Sequence, residues 1–252
     1  MILVSFGAVH LGYLAFLVLV LVGVSLLARK WSEKTKKQFF LVLSAINIVL
    51  FAVYKGMLAF DTAYHALLLE AGRPPFHWVT ELPFQLCNIN MLLMPIALLW
   101  NKRSLLGFCF FAAPLGALMA LCLPSLGFSG YSFFLPRMLG FFLTHGILFL
   151  MGLWLGTMGL FRPTWKDILP TLGVLLVLSL SIFLLNLLLR YTGIAPGANF
   201  FYLMHHDDNV LLKLFWSWIP VPYLYLLPAL AILLPYMALM ILLFQPRKQP
   251  TA

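Results

Sequence analysis

Seven apolar runs, each about as long as a bilayer is thick, constrain this chain more than any other feature. They fall at about 5–28, 38–60, 82–100, 104–123, 136–160, 168–190 and 218–244. A helix needs roughly 20 apolar residues to cross hydrocarbon, and it satisfies its own backbone hydrogen bonds there. Charged residues make up 9% of the chain, against about 25% in a soluble domain. Such a chain cannot cover a water-facing surface. The expectation is an all-α, polytopic membrane protein: one seven-transmembrane-helix bundle over residues 1–252, with no separate soluble domain.

Charge predicts the orientation. The first run has no basic residue before it and "ARK" after it, the reverse of a cleavable signal. It reads as a retained helix with its N-terminus outside. On that basis 11 of the 16 Lys and Arg residues fall in the inner connectors and the tail, among them Arg29, Lys30, Arg162, Arg247 and Lys248. Asp61, Glu70, Glu81, Asp207 and Asp208 fall outside. This is the usual partition for a protein with its C-terminus inside. The absence of an N-x-Ser/Thr sequon fits the plasma (cell) membrane of a bacterium. The partition also accounts for the net charge of +9, so no nucleic-acid partner is expected. Cys87, Cys109 and Cys122 all lie in apolar runs. An odd count without loop cysteines argues against a disulfide framework, and no metal or other cofactor is expected.

The stretch "ELPFQLCNINMLLMPIALLW" (81–100) is polar where it enters the membrane. Glu81, Gln85 and Asn88 stand at i, i+4 and i+7, one stripe if the whole stretch is helical. Pro83 would then sit in the first turn, where it is tolerated. At ~1.5 Å per residue, Cys87 lies about 8 Å in from the outer end, His145 about 13 Å, Lys55 about 8 Å, His10 about 8–12 Å and Asn186 about 6 Å. Each has a plainer role alone: cysteine as a small hydrophobe, His or Asn as glue between helices, Lys snorkelling outward. Their convergence from separate helices predicts a polar pocket in the outer half of the membrane. A thiol near a helix N-terminus is a candidate nucleophile when a base is near. His145 is the first choice of base by depth, His10 the second. The loop carrying His205, His206, Asp207 and Asp208 reads as solvated rather than as a metal cluster, and "GANFFYL" (197–203) as a lid.

The run "LPFQLCNIN" (82–90) resembles the Leu-Pro-x-x-x-Cys signature of the YwaF-type bacterial integral membrane proteins, related to eukaryotic transmembrane protein 164. His10, "AAPLGALMALCLP" (112–124), "RMLGFFLTHG" (137–146), "GANFFYL" and "VPYLYLL" (221–227) follow in the family's order. Two departures bear on lid packing and acyl preference: Phe-Phe-Tyr after Asn199, and Leu123 in place of a Thr. The resemblance implies a seven-helix fold and, for the eukaryotic relative, acyl transfer between phospholipids by a Cys/His pair that maps onto Cys87 and His145. It also suggests kinship to membrane lipid hydrolases, hence a hydrolytic side activity.

The expectation is an outer-leaflet acyltransferase or transacylase working through a Cys87 thioester, with phospholipid and lyso-lipid as partners. Asn88 or Gln85 would serve the oxyanion, His10 and Asn199 would orient or gate, and Lys55, Arg137 or Arg190 would hold the lipid phosphate. The alternatives are a membrane transporter or lipid-binding protein with a polar pocket, and a structural or lipid-sensing bundle without chemistry.

Overall fold

The computed structural model describes residues 1–73, 75–124, 127–207 and 209–245. Asp208 and the tail residues Arg247 and Lys248 lie outside the described residues. Each apolar run forms a helix. In chain order the helices are α1 (Ala8–Leu27), α2 (Glu33–Leu58), α3 (Thr62–Glu70), α4 (Leu86–Trp100), α5 (Arg103–Cys122), α6 (Pro136–Thr157), α7 (Ile168–Tyr191), α8 (Val210–Trp218) and α9 (Leu230–Phe244). A 3-10 segment, Leu224–Ala229, leads into α9. Six of the seven runs are long and apolar enough to cross a membrane, so the chain is an integral membrane protein of polytopic helical type.

The seventh run differs from expectation. α4 begins at Leu86 and has 15 residues, about 22 Å of helix against a hydrocarbon core of about 30 Å. Pro83 therefore precedes the helix, and Glu81 and Gln85 are not on a helical stripe with Asn88. The connectors after α2 and α7 also contain short helices, α3 and α8. Asp61 and Asn209 start them by accepting hydrogen bonds from backbone N–H groups of the first turn.

Cross-links show which helix ends lie together. At one end, His10 near the start of α1 reaches the Leu121 carbonyl near the end of α5, at 2.8 Å. Arg137 at the start of α6 meets Asp61 just past the end of α2. At the opposite end, Ser25 of α1 bonds Thr157 of α6 at 2.9 Å, and Arg103 at the start of α5 grips Asp167 before α7. The long helices thus alternate in direction. A two-residue antiparallel ribbon, Ile2–Leu3 (β1) with Tyr131–Ser132 (β2), ties the N-terminus to the α5–α6 connection.

α5 and α6 form the centre: 61% of the most apolar window of each is buried, against 11% for α1 and 17% for the last span. Close approach explains the packing. A Cβ on Gly140 of α6 would stand 2.5 Å from the Tyr54 ring of α2, and one on Gly152 would stand 2.5 Å from Pro114 of α5. Small residues of this kind let membrane helices meet at backbone distance.

Candidate functional site

Because α4 is short, its N-terminus is recessed below the end of the bundle. Gln85 is the N-cap and makes no side-chain bond to the first turn. The first helical turn leaves N–H groups without intrahelical partners. Cys87 and Asn88 are the second and third residues of α4, so the thiol sits in the partial positive field of a helix N-terminus. Its sulfur packs on α5 at Gly116, where an added Cβ would stand 3.2 Å from Sγ.

Cys87, Asn88, His145, Asn47 and Thr144 line one cavity of about 10 Å³, closed on its apolar side by Met91 and Leu148. That volume is near the least that holds one water. No hydrogen bond joins Cys87 to His145; both line this space. Measured along the helices, the cavity lies about 13 Å from the start of α6 and about 16 Å from the end of α2, deeper than the 8 Å expected for Cys87. The difference is the recess of α4.

The His145 side chain has one nitrogen engaged. Nδ1 lies 2.8 Å from the Phe141 carbonyl one turn earlier. A carbonyl only accepts, so Nδ1 carries the proton and a neutral ring keeps its lone pair on Nε2. Phe141 also packs on the ring, centroids 4.4 Å apart. The imidazole is thus held in the tautomer that can take a proton. Asn47 was absent from the sequence reading. It is 1% exposed; its Nδ2 donates to the Thr144 carbonyl at 3.3 Å, and its Oδ1 has no partner. A buried acceptor beside a thiol and an imidazole is suited to a water or to a proton donor. An amide inside an apolar run, "AINIVLF" (45–51), was the signal available.

The segment 197–207 packs against the residues that lead into α4. Gln85 Oε1 accepts from Phe201 N–H at 2.8 Å, and Phe84 meets Phe200 edge-on. Asn186 of α7 pins Phe200 through both its N–H and its carbonyl, each at 2.9 Å. Asn199 folds the loop: its Oδ1 accepts from Met204 N–H, and its Nδ2 donates to the His205 carbonyl and to Asp207. Phe201 and Tyr202 have φ of 60° and 56°, an uncommon region for bulky residues.

Other expected site residues lie elsewhere. His10 uses both ring nitrogens, accepting from Phe6 N–H at 2.8 Å and facing the Leu121 carbonyl; it fixes the start of α1 and does not line the cavity. Asn199 belongs to the covering loop and Gln85, at the start of α4, holds that loop; neither lines the cavity. Lys55 pairs with Glu81. Arg137, 3% exposed, bonds Asp61 at 2.7 Å and the Gly127 carbonyl at 3.1 Å. Arg190 donates to the Ala198 carbonyl at 2.7 Å. These three cations are engaged within the protein rather than directed together at a ligand. His205 and Asp207 contact each other at 2.9 Å, and Asp207 also meets Arg73 at 2.7 Å.

The family model described as the TMEM164 family matches residues 5–241. Neither a curated protein nor a solved structure matches the chain.

Proposed function

This chain belongs to the TMEM164 family, and from that premise we propose that it is an integral membrane acyltransferase using Cys87 as nucleophile and His145 as base. The observation that carries the reading is that both line one small cavity at a helix N-terminus, with His145 in the tautomer that exposes Nε2. The family resemblance supports the same pair. The acyl donor is a phospholipid and the acceptor a lyso-lipid or other hydroxyl compound, at the outer leaflet of a bacterial plasma membrane.

In the first step Nε2 of His145 takes the thiol proton, directly or through one water, as Sγ bonds to the ester carbonyl carbon. The negative charge passes to the carbonyl oxygen. N–H groups of the α4 first turn and the Asn88 amide are the donors placed to stabilise it. The C–O bond then breaks, and the imidazolium protonates the leaving alkoxide. In the second step His145 deprotonates the acceptor hydroxyl, whose oxygen displaces sulfur. Ester and free thiol are restored. The cavity is too small for an acyl chain, so entry requires the packing around Phe201 and Tyr202 to open. A dry site favours a hydroxyl acceptor over water, with hydrolysis a side reaction.

The test is acyl exchange among defined lipids, followed by mass spectrometry with purified protein. Cys87→Ala and His145→Ala should each lose exchange while remaining folded. Full activity in either would remove the nucleophile or the base.

One observation favours a second reading. A helix N-terminus recessed in the bundle also occurs in carriers that bind substrate at half-helix ends. A transporter predicts substrate flux that survives Cys87→Ser; the enzyme predicts no flux, and labelling of Cys87 by an acyl-bearing thiol probe that is lost in His145→Ala.

A further inference from the structure

At the end of the bundle opposite the Cys87 cavity, the ends of α1, α6 and α9 and the start of α2 surround a cleft of about 460 Å³. This is the size of a small-molecule site. Arg29, Lys36 and Arg162 line it, and among the described residues no carboxylate does. Gly159 sets its shape: with φ of 75° it turns the chain after α6 so that the Arg162 guanidinium lies 3.8 Å from where a Cβ would be.

Basic residues are common at such membrane ends, so position alone decides nothing. Their engagement does. Lys36 is accounted for in part, since its Nζ caps the α6 end at the Met158 carbonyl, 2.8 Å away. Arg29 and Arg162 form no ion pair among the described residues. The acids of this end are already held, Glu33 by Lys37 at 2.9 Å and Asp167 by Arg103 at 2.6 Å. Two guanidiniums and an ammonium thus share one concavity without a counter-charge among the described residues. Its other wall is Leu243 and Phe244 of α9, and Leu243 is 66% exposed on the outer surface of the bundle. The cleft is cationic within and apolar along the side that meets lipid.

We propose that this cleft binds the phosphate of an anionic glycerophospholipid, with Arg29 and Arg162 as its forked donors, Lys36 as a point charge and the acyl chains along α9. Guanidinium matches phosphate in geometry as well as charge, and basic pockets between membrane helices are a recurring form of anionic headgroup site. The site is separate from the Cys87 cavity and does not depend on its chemistry.

The experiment measures thermal unfolding of the full chain in detergent with added phosphatidylglycerol, phosphatidylcholine or inorganic phosphate. Phosphatidylglycerol should raise the midpoint by about 2–4 °C, and the others should not. The double variant Arg29→Gln, Arg162→Gln should lose the rise while keeping its lipid-free midpoint; Lys34→Gln, on an exposed residue outside the cleft, should keep it. Native mass spectrometry should show one fewer retained anionic lipid in the double variant. An equal rise with phosphatidylcholine, or a rise that survives in the double variant, overturns the proposal. An equal rise with inorganic phosphate alone assigns the cleft to soluble phosphates and overturns the lipid source.

Discussion

The two ends of this bundle differ in how much of their charge is partnered. At the Cys87 end, Lys55, Arg73 and Arg137 meet Glu81, Asp207 and Asp61, each pair joining segments far apart in sequence. At the other end Arg103 holds Asp167, but Arg29 and Arg162 line an open cleft without carboxylate partners among the described residues. Paired charges fasten loops over a recessed helix start, whereas unpaired charges facing a concavity are poised for a ligand. The lesson is that a membrane arginine is read by its partner rather than by its depth.

The largest expected effect breaks the paired end. Asp61→Leu leaves the Arg137 guanidinium buried without its counter-charge and should cost about 3–5 kcal/mol, seen as a fall in the unfolding midpoint. Arg162→Gln at the other end should change lipid-free stability by no more than about 0.5 kcal/mol. Equal losses would erase the contrast. A smaller effect concerns the cavity. Asn47→Leu removes an unsatisfied buried acceptor, so stability should hold or rise, while acyl exchange should fall roughly tenfold, about one hydrogen bond's worth. Unchanged exchange would make Asn47 only a bond to Thr144. Smaller again, Gly116→Ala presses a methyl on Sγ and should slow exchange with a cost of about 1 kcal/mol.

The last prediction uses pH. Burial raises Asp61 and Asp207, but hydrogen bonds outweigh it: Tyr64 N–H and Arg137 at Asp61, and His205, Asn199 and Arg73 at Asp207. Both carboxyls end below their ordinary value. Their stabilisation is complete above the unfolded value of about 4 and is lost as pH falls through the lowered folded values. Hydrogen exchange at 61–70 and 199–207 should therefore rise in acid before exchange at 28–36 does. Equally early loosening of 28–36, whose one acid, Glu33, is exposed beside Lys37, would contradict this order.

Much of the fold was legible because hydropathy alone identifies helices that lipid permits. That Cys87 and His145 would share a cavity was legible because two polar residues at similar depth on separate helices have few places to go but inward. The start of α4 was not, since "ELPFQL" is compatible with helix until the contacts of Gln85 with the 199–201 backbone and the Glu81–Lys55 pair draw it out of one. The roles of Arg137 and Arg190 were hidden for a related reason: depth places a cation near a headgroup, and only the folded loops supply Asp61 and the Ala198 carbonyl. Asn47 escaped because its immediate neighbours in α2, Ala45, Ile46, Ile48 and Val49, are apolar and it lies deeper than the 8 Å expected for Cys87.

If Cys87 carries the acyl chain, intact-protein mass spectrometry after a single turnover with a defined phospholipid will find it there. One added acyl mass is expected on Cys87, removed by hydroxylamine and absent from both Cys87→Ala and His145→Ala. Acyl exchange at full rate with no adduct on Cys87, or with that residue replaced by alanine, would contradict it.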